Sequence, residues 1–179
     1  MVLLGLAFFV WNGVGKVLFR KWLDQPDSNS TDFTAVYAPA QCAFRVTFPT
    51  TPEIGQLSSP GVTFIERAQS TFENHFLRAT CMTFPDGNFG NMTQTDYHQM
   101  GRDYAEKEGL HSILIQHSSS GMGDRVMVSG SKTIQGLSFK VRTDMYHRDN
   151  VRFTVTVGGE TTGYPQSGVL QFLQSVVNI

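Results

Sequence analysis

Alternation of apolar and polar residues dominates this chain from Cys42 to Val157, and one stretch in its middle breaks that rhythm with a helical period. A period of two places successive side chains on opposite faces of a strand, so such runs are half-buried strands. Phe44, Val46 and Phe48 alternate with Arg45 and Thr47, and Pro49 stops that run. Further strands are predicted over Val62–Ala68 and Asn74–Phe84, with Thr50–Pro60 as a loop and a turn around Gln69–Glu73. Pro85-Asp86-Gly87-Asn88 is a cluster of turn residues. Thr93–Glu108 then carries Tyr97, Met100, Tyr104 and Ala105 at helical spacing, with Gly109 as a C-terminal stop.

Strands resume over Ser112–His117, Arg125–Thr133, Leu137–Tyr146 and Val151–Val157. Gln135-Gly136 and Arg148-Asp149-Asn150 supply turns, and Ser118–Gly123 reads as a flexible tip. Tyr164-Pro165 opens a last helix, whose apolar face is Val169, Leu170, Phe172, Leu173, Val176 and Val177. Short connections between strands favour antiparallel pairing. The expected class is therefore α+β: an antiparallel sheet of about six to seven strands with two packed helices.

The N-terminus is of another kind. Met1–Phe19 is apolar apart from Asn12 and Lys16, and Arg20-Lys21 follows it. A helix of that length is roughly 28 Å long, about the hydrocarbon thickness of a bilayer. Residues 1–23 are expected to be a membrane anchor, with Leu3, Leu4, Leu6, Phe8, Phe9, Val10 and Trp11 in its apolar body. Two alternatives stay open. Asn12, Lys16, Arg20 and Asp24 share one helical face, as in a helix lying on the membrane surface. A cleavable signal peptide fits less well, because no basic residue precedes Val2 and Asn12-Gly13-Val14-Gly15 is a poor cleavage site. Lys16, Arg20 and Lys21 on the C-terminal side favour a cytoplasmic domain by the positive-inside tendency. Residues 24–40 read as a polar linker, leaving 41–179 as one domain.

Charged residues make up only 16% of the 179, and the net charge is −1, which argues against a nucleic-acid binder. Cys42 and Cys81 are compatible with one disulfide in an oxidising compartment and equally with two buried thiols. No Cys/His spacing suits zinc, and no cofactor motif is present. The five histidines read as surface residues. No serine sits in a nucleophile elbow, and the carboxylates Asp103, Glu106 and Glu108 read as a solvated helix face.

Four phrases, Phe44–Pro49 (FRVTFP), Leu137–Arg142 (LSFKVR), Val151–Val157 (VRFTVTV) and Phe172–Val177 (FLQSVV), resemble the PsbP-like superfamily in their order. The resemblance spans about residues 41 to 179. It implies a non-enzymatic accessory or binding subunit, in a periplasm or thylakoid lumen, attached to a membrane complex. Such proteins share no universal catalytic residue, so the resemblance carries over no site. It places the domain on the periplasmic or lumenal face, opposite to the charge preference.

Three functions are expected, in this order. The first is an accessory or scaffolding subunit of an integral membrane complex, raised to high local concentration by its tether, with Phe89, Met92 and Met122 as candidate partner contacts. The alternative is a membrane-anchored small-molecule-binding domain, using a cleft between sheet and helix. An enzyme, most plausibly a hydrolase, comes third.

Overall fold

A computed structural model describes residues 33–179, apart from 88, 162–163 and 165–166. The anchor residues Leu3 to Trp11 lie outside the described residues. Among the described residues, no helix is long and apolar enough to cross a membrane.

The strands are β1 (Ala35–Tyr37), β2 (Phe44–Phe48), β3 (Glu53–Ser59), β4 (Val62–Phe72), β5 (His75–Thr83), β6 (His111–Ser120), β7 (Gly123–Ile134), β8 (Leu137–Arg148), β9 (Val151–Glu160) and β10 (Val177–Asn178). Helix α1 spans Gln94–Glu108 and α2 spans Ser167–Gln174. A seven-stranded antiparallel sheet runs β3-β4-β5-β9-β8-β7-β6, and a small sheet runs β1-β2-β10. The α+β class and the antiparallel sheet with two helices therefore hold. After β5 the chain crosses through α1 to the far edge, then meanders back from β6 to β9, which pairs with β5.

Hairpin chemistry sets the register. Gln135-Gly136 has φ of 51° and 83°, and Glu73-Asn74 has φ of 46° and 63°. Two consecutive left-handed residues make the tight turn whose twist matches antiparallel strands. The β4–β5 strands thus run on through residues 69–72, where a turn was expected. Likewise β6 and β7 extend to Ser120 and Gly123, leaving only residues 121–122 between them.

One face of the large sheet carries the larger apolar core. Phe153 of β9 stacks on Phe44 at 5.6 Å and on Tyr37 at 6.3 Å, and Phe48 meets Phe172 of α2 at 4.8 Å. Leu77, Ala79, Val155 and Val157 complete this core beneath the small sheet and α2. Cys42 and Cys81 form a disulfide across it, with Cα atoms 6.1 Å apart, joining the small sheet to β5.

Two expectations need correction here. The linker does not extend to residue 40: β1 pairs with β2, Ala35 opposite Phe48, because Phe33, Ala35 and Tyr37 face the core. That alternation is too short to stand out among Asp, Ser and Pro. The expected loop Thr50–Pro60 contains β3, whose seven residues are all exposed. An edge strand wet on both faces carries no apolar alternation to reveal it.

Candidate functional site

The second face of the large sheet carries a smaller apolar cluster under α1 and, beside it, a run of threonines and arginines. Directly opposed residues in antiparallel strands share a face, so the registers place Gly55, Arg67, Thr80, Thr154, Met145, Val126 and His117 in one row across the sheet. The next row is Glu53, Gln69, Arg78, Thr156, Thr143, Val128 and Ile115. Helix α1 packs mainly on β6 and β7, at one end of both rows, and reaches β8 and β9 through Tyr104 and Met100. Arg67, Gln69 and Arg78 stay half exposed, whereas Thr80, Thr143, Thr154 and Thr156 are buried.

The helix is placed by its caps. Thr93 Oγ1 accepts from the Asp96 amide, and the Asp96 carboxylate accepts from the Thr93 amide at 2.8 Å, a reciprocal capping box. Gly109, at φ 67°, closes the C-terminal end in the left-handed conformation. Between these caps Tyr97 and Ala105 are buried against Val126, Val128 and Met145. Met100, Tyr104 and Glu108, spaced by four, stand along the helix side that meets the polar rows. Arg152 contacts the Met100 sulfur at 3.2 Å, and Tyr104 shares a 2.8 Å hydrogen bond with Thr143. Thr143 in turn bonds Thr156 at 3.0 Å, and Glu108 lies 3.9 Å from Lys132.

The result is a polar strip beside α1, in which buried threonine hydroxyls run out from the helix to two half-exposed arginines on β4 and β5. Burial pulls the Arg67 guanidinium down to about 10, and the Arg78 charge pushes the same way. Burial also lowers Lys132, with Arg78 adding to the effect against the opposing pull of Glu108. Burial, reinforced by Glu108, raises the Tyr104 phenol, so it stays protonated. Arg67 Nε, Arg78 Nε and Thr154 Oγ1 are buried without a hydrogen-bond partner.

A second polar cluster lies at the N-terminal end of α1. His117 Nε2 is 3.0 Å from Asp124 Oδ1, Ser119 donates to the same oxygen, and Tyr97 stacks on His117 at 4.6 Å. Burial raises the Asp124 carboxyl, but hydrogen bonds led by Ser119 and His117 outweigh it and hold the group below its usual range. The carboxylate stands between serine and histidine here. A nucleophilic relay needs the histidine in that middle position. Among the described residues, no group of three His, Cys, Asp or Glu side chains is arranged to hold a metal ion.

Several sequence expectations change place. Phe89 is buried against Phe84 and His147, and its carbonyl accepts from Tyr97, so it is core and not a partner contact. Met92 and Met122 are half-buried packing residues. His75 and His147 are buried, not on the surface, because their inward strand positions carry them into the interior. Glu108 pairs with Lys132 and is only half exposed. The residues of the strip went unnoticed in the sequence. Arg152, Thr154 and Thr156 occupy the polar positions of an alternating strand, which by itself describes a solvent face.

No protein-family model matches the chain, and no curated protein is significantly similar to it. Among solved structures, a similar chain is the Pseudomonas aeruginosa protein PA94, itself of unknown function and named as a candidate regulator. It is 13% identical, the match covers 73% of this chain and 85% of that one, and the TM-score is 0.38. A likeness of that size carries no argument about function.

Proposed function

We propose that this chain is a non-enzymatic binding domain that takes a polar small molecule on the strip beside α1, over strands β4, β5 and β9, held beside a membrane by residues 1–23. The observation that supports this reading is a row of buried threonines beside α1 that runs out to two arginines with no ion-pair partner among the described residues. That face buries four threonines and leaves Arg67 Nε, Arg78 Nε, Thr154 Oγ1 and His147 Nδ1 without hydrogen-bond partners. An unsatisfied buried polar group costs about 1–3 kcal/mol, which a ligand hydrogen-bonded there would offset.

The test is thermal unfolding against a panel of neutral and acidic polar metabolites. A ligand of the strip raises the melting temperature with concentration; at a hundredfold excess over Kd it adds about 2.7 kcal/mol. Thr154→Val with Thr156→Val, which keeps shape and removes hydroxyls, abolishes the shift. If no compound shifts the unfolding, or the variant responds as the parent does, the reading fails.

Service as an accessory subunit of a membrane complex is the second reading. Strand β3 favours it: an unpaired sheet edge, exposed throughout, with Ile54 and Leu57 outward, is suited to adding a partner strand. Co-purification of a defined membrane complex from detergent, lost on Gln56→Pro, tests it.

A further inference from the structure

We infer that the strip's ligand carries a phosphate monoester, gripped by Arg67 and Arg78 with Lys132 beyond them; this rests on the binding reading above and names its chemistry. Arg67 lies opposite Thr80, and Arg78 is two residues from Thr80 on the same strand. The two arginines are therefore diagonal neighbours, roughly 7–8 Å apart at their bases, within reach of one common point. Among the described residues, no carboxylate lies within ion-pair distance of either. Glu108 lies against Lys132, and Glu53 stands on the same face beyond Gln69, two strands from Arg78.

Glu108 answers Lys132, and neither Arg67 nor Arg78 has an ion-pair partner of its own among the described residues. The two arginines stand on adjacent strands of one face, Arg78 with its guanidinium over the Phe76 ring at 5.7 Å, so a single anionic group set between them is met from both strands. A phosphate monoester is such a group, with a charge of about −1.5 to −2 at neutral pH and three acceptor oxygens. Guanidinium forks are matched to those oxygens. The buried Nε atoms of both arginines supply donors with no acceptor in the unliganded protein, and buried donors are ordinarily paired. The Thr154 hydroxyl beside them is unpaired too. The chain as a whole is net negative, so this positive site is local and not part of a general basic surface.

The experiment is calorimetric titration of the full chain with glycerol 3-phosphate, glycerol and succinate, alongside flotation with vesicles of phosphatidylcholine with or without phosphatidic acid. Glycerol 3-phosphate or phosphatidic acid is expected to bind saturably, and whichever binds identifies a free or a lipid source. Arg67→Gln and Arg78→Gln each weaken binding about tenfold or more, the loss of one charge-assisted contact. Lys140→Gln, exposed on the other face, leaves it unchanged. Affinity rises between pH 5 and 7 as the ester loses its second proton near pH 6. Unchanged binding in both arginine variants, whose folding is checked by circular dichroism, overturns the inference. If glycerol binds as well as its phosphate, the inference fails while the polar-ligand reading stands. If nothing binds, both fall.

Discussion

Arg152 Nε stands 3.1 Å from His147 Nε2, so the arginine donates to the imidazole and the ring carries its own proton on Nδ1. A buried histidine in that bond is neutral. Burial, and then the Arg152 charge, push its pKa from 6.5 down to about 3, with Asp124 pulling weakly the other way. Between those values the unfolded chain binds a proton that the folded chain refuses. Stability therefore rises with pH through that window and is lost as pH falls from about 6.5 toward 3. Urea midpoints at pH 7, 5 and 4 should fall steadily, and His147→Phe should flatten the decline. Equal slopes in the two proteins would rule this residue out as the source.

Asp144 is fully buried on β8 and is held by Arg142 through two hydrogen bonds of 3.1 Å and by Arg125 from β7. Removing the carboxylate leaves two guanidiniums uncompensated. Asp144→Ala should cost roughly 3–5 kcal/mol in chemical denaturation, well beyond an exposed pair. A loss below about 1 kcal/mol would mean that water already screens the cluster.

The Cys42–Cys81 bridge closes a segment with a sequence separation of 39 between the small sheet and β5. Replacing both cysteines by serine should destabilise the fold by roughly 2–4 kcal/mol, and reductant should lower the melting temperature of the parent alone. If reductant has no effect, the bridge contributes little to stability.

Helix α1 approaches the sheet closely because Gly101 has no side chain. A Cβ there would lie 2.8 Å from Ile115 Cγ2 and 3.3 Å from Val128 Cγ2. Gly101→Val should force the helix outward and cost about 1–3 kcal/mol of overpacking, despite replacing a poor helix former. Gly121→Ala, where a Cβ meets nothing within 4 Å, serves as the control.

Arg67 should trade binding against stability. It is partly desolvated beside Arg78, so Arg67→Met removes a repulsion and should leave the unliganded protein equally stable or about 0.5–1 kcal/mol more stable, after solvent screening. The same variant should lose the ligand-dependent rise in melting temperature. A clearly destabilised Arg67→Met would place the guanidinium in a structural role instead.

Much of the fold was legible residue by residue. Phe44, Val46 and Phe48 announce β2, the Tyr97–Ala105 spacing announces α1, and Gly109 marks its end. What escaped were elements whose burial owes nothing to their own pattern. Strand β3 is wet on both faces, and β1 is only three residues long. His75 and His147 were misplaced because a histidine at an inward strand position looks no different, in sequence, from one facing water.

The candidate site was scarcely legible, for a geometric reason. Arg67, Arg78, Thr143 and Thr156 lie on four different strands. What aligns them is cross-strand register, which turn geometry and long-range pairing set.

Local periodicity alone determined the class of this protein, because alternation and helical spacing are properties of neighbouring residues. Tertiary structure alone decided which polar face would be buried and which cations would meet. Burial and charge proximity depend on what packs across the sheet, and α1 lies mainly over β6 and β7 while Arg67 and Arg78 stay half exposed beside it.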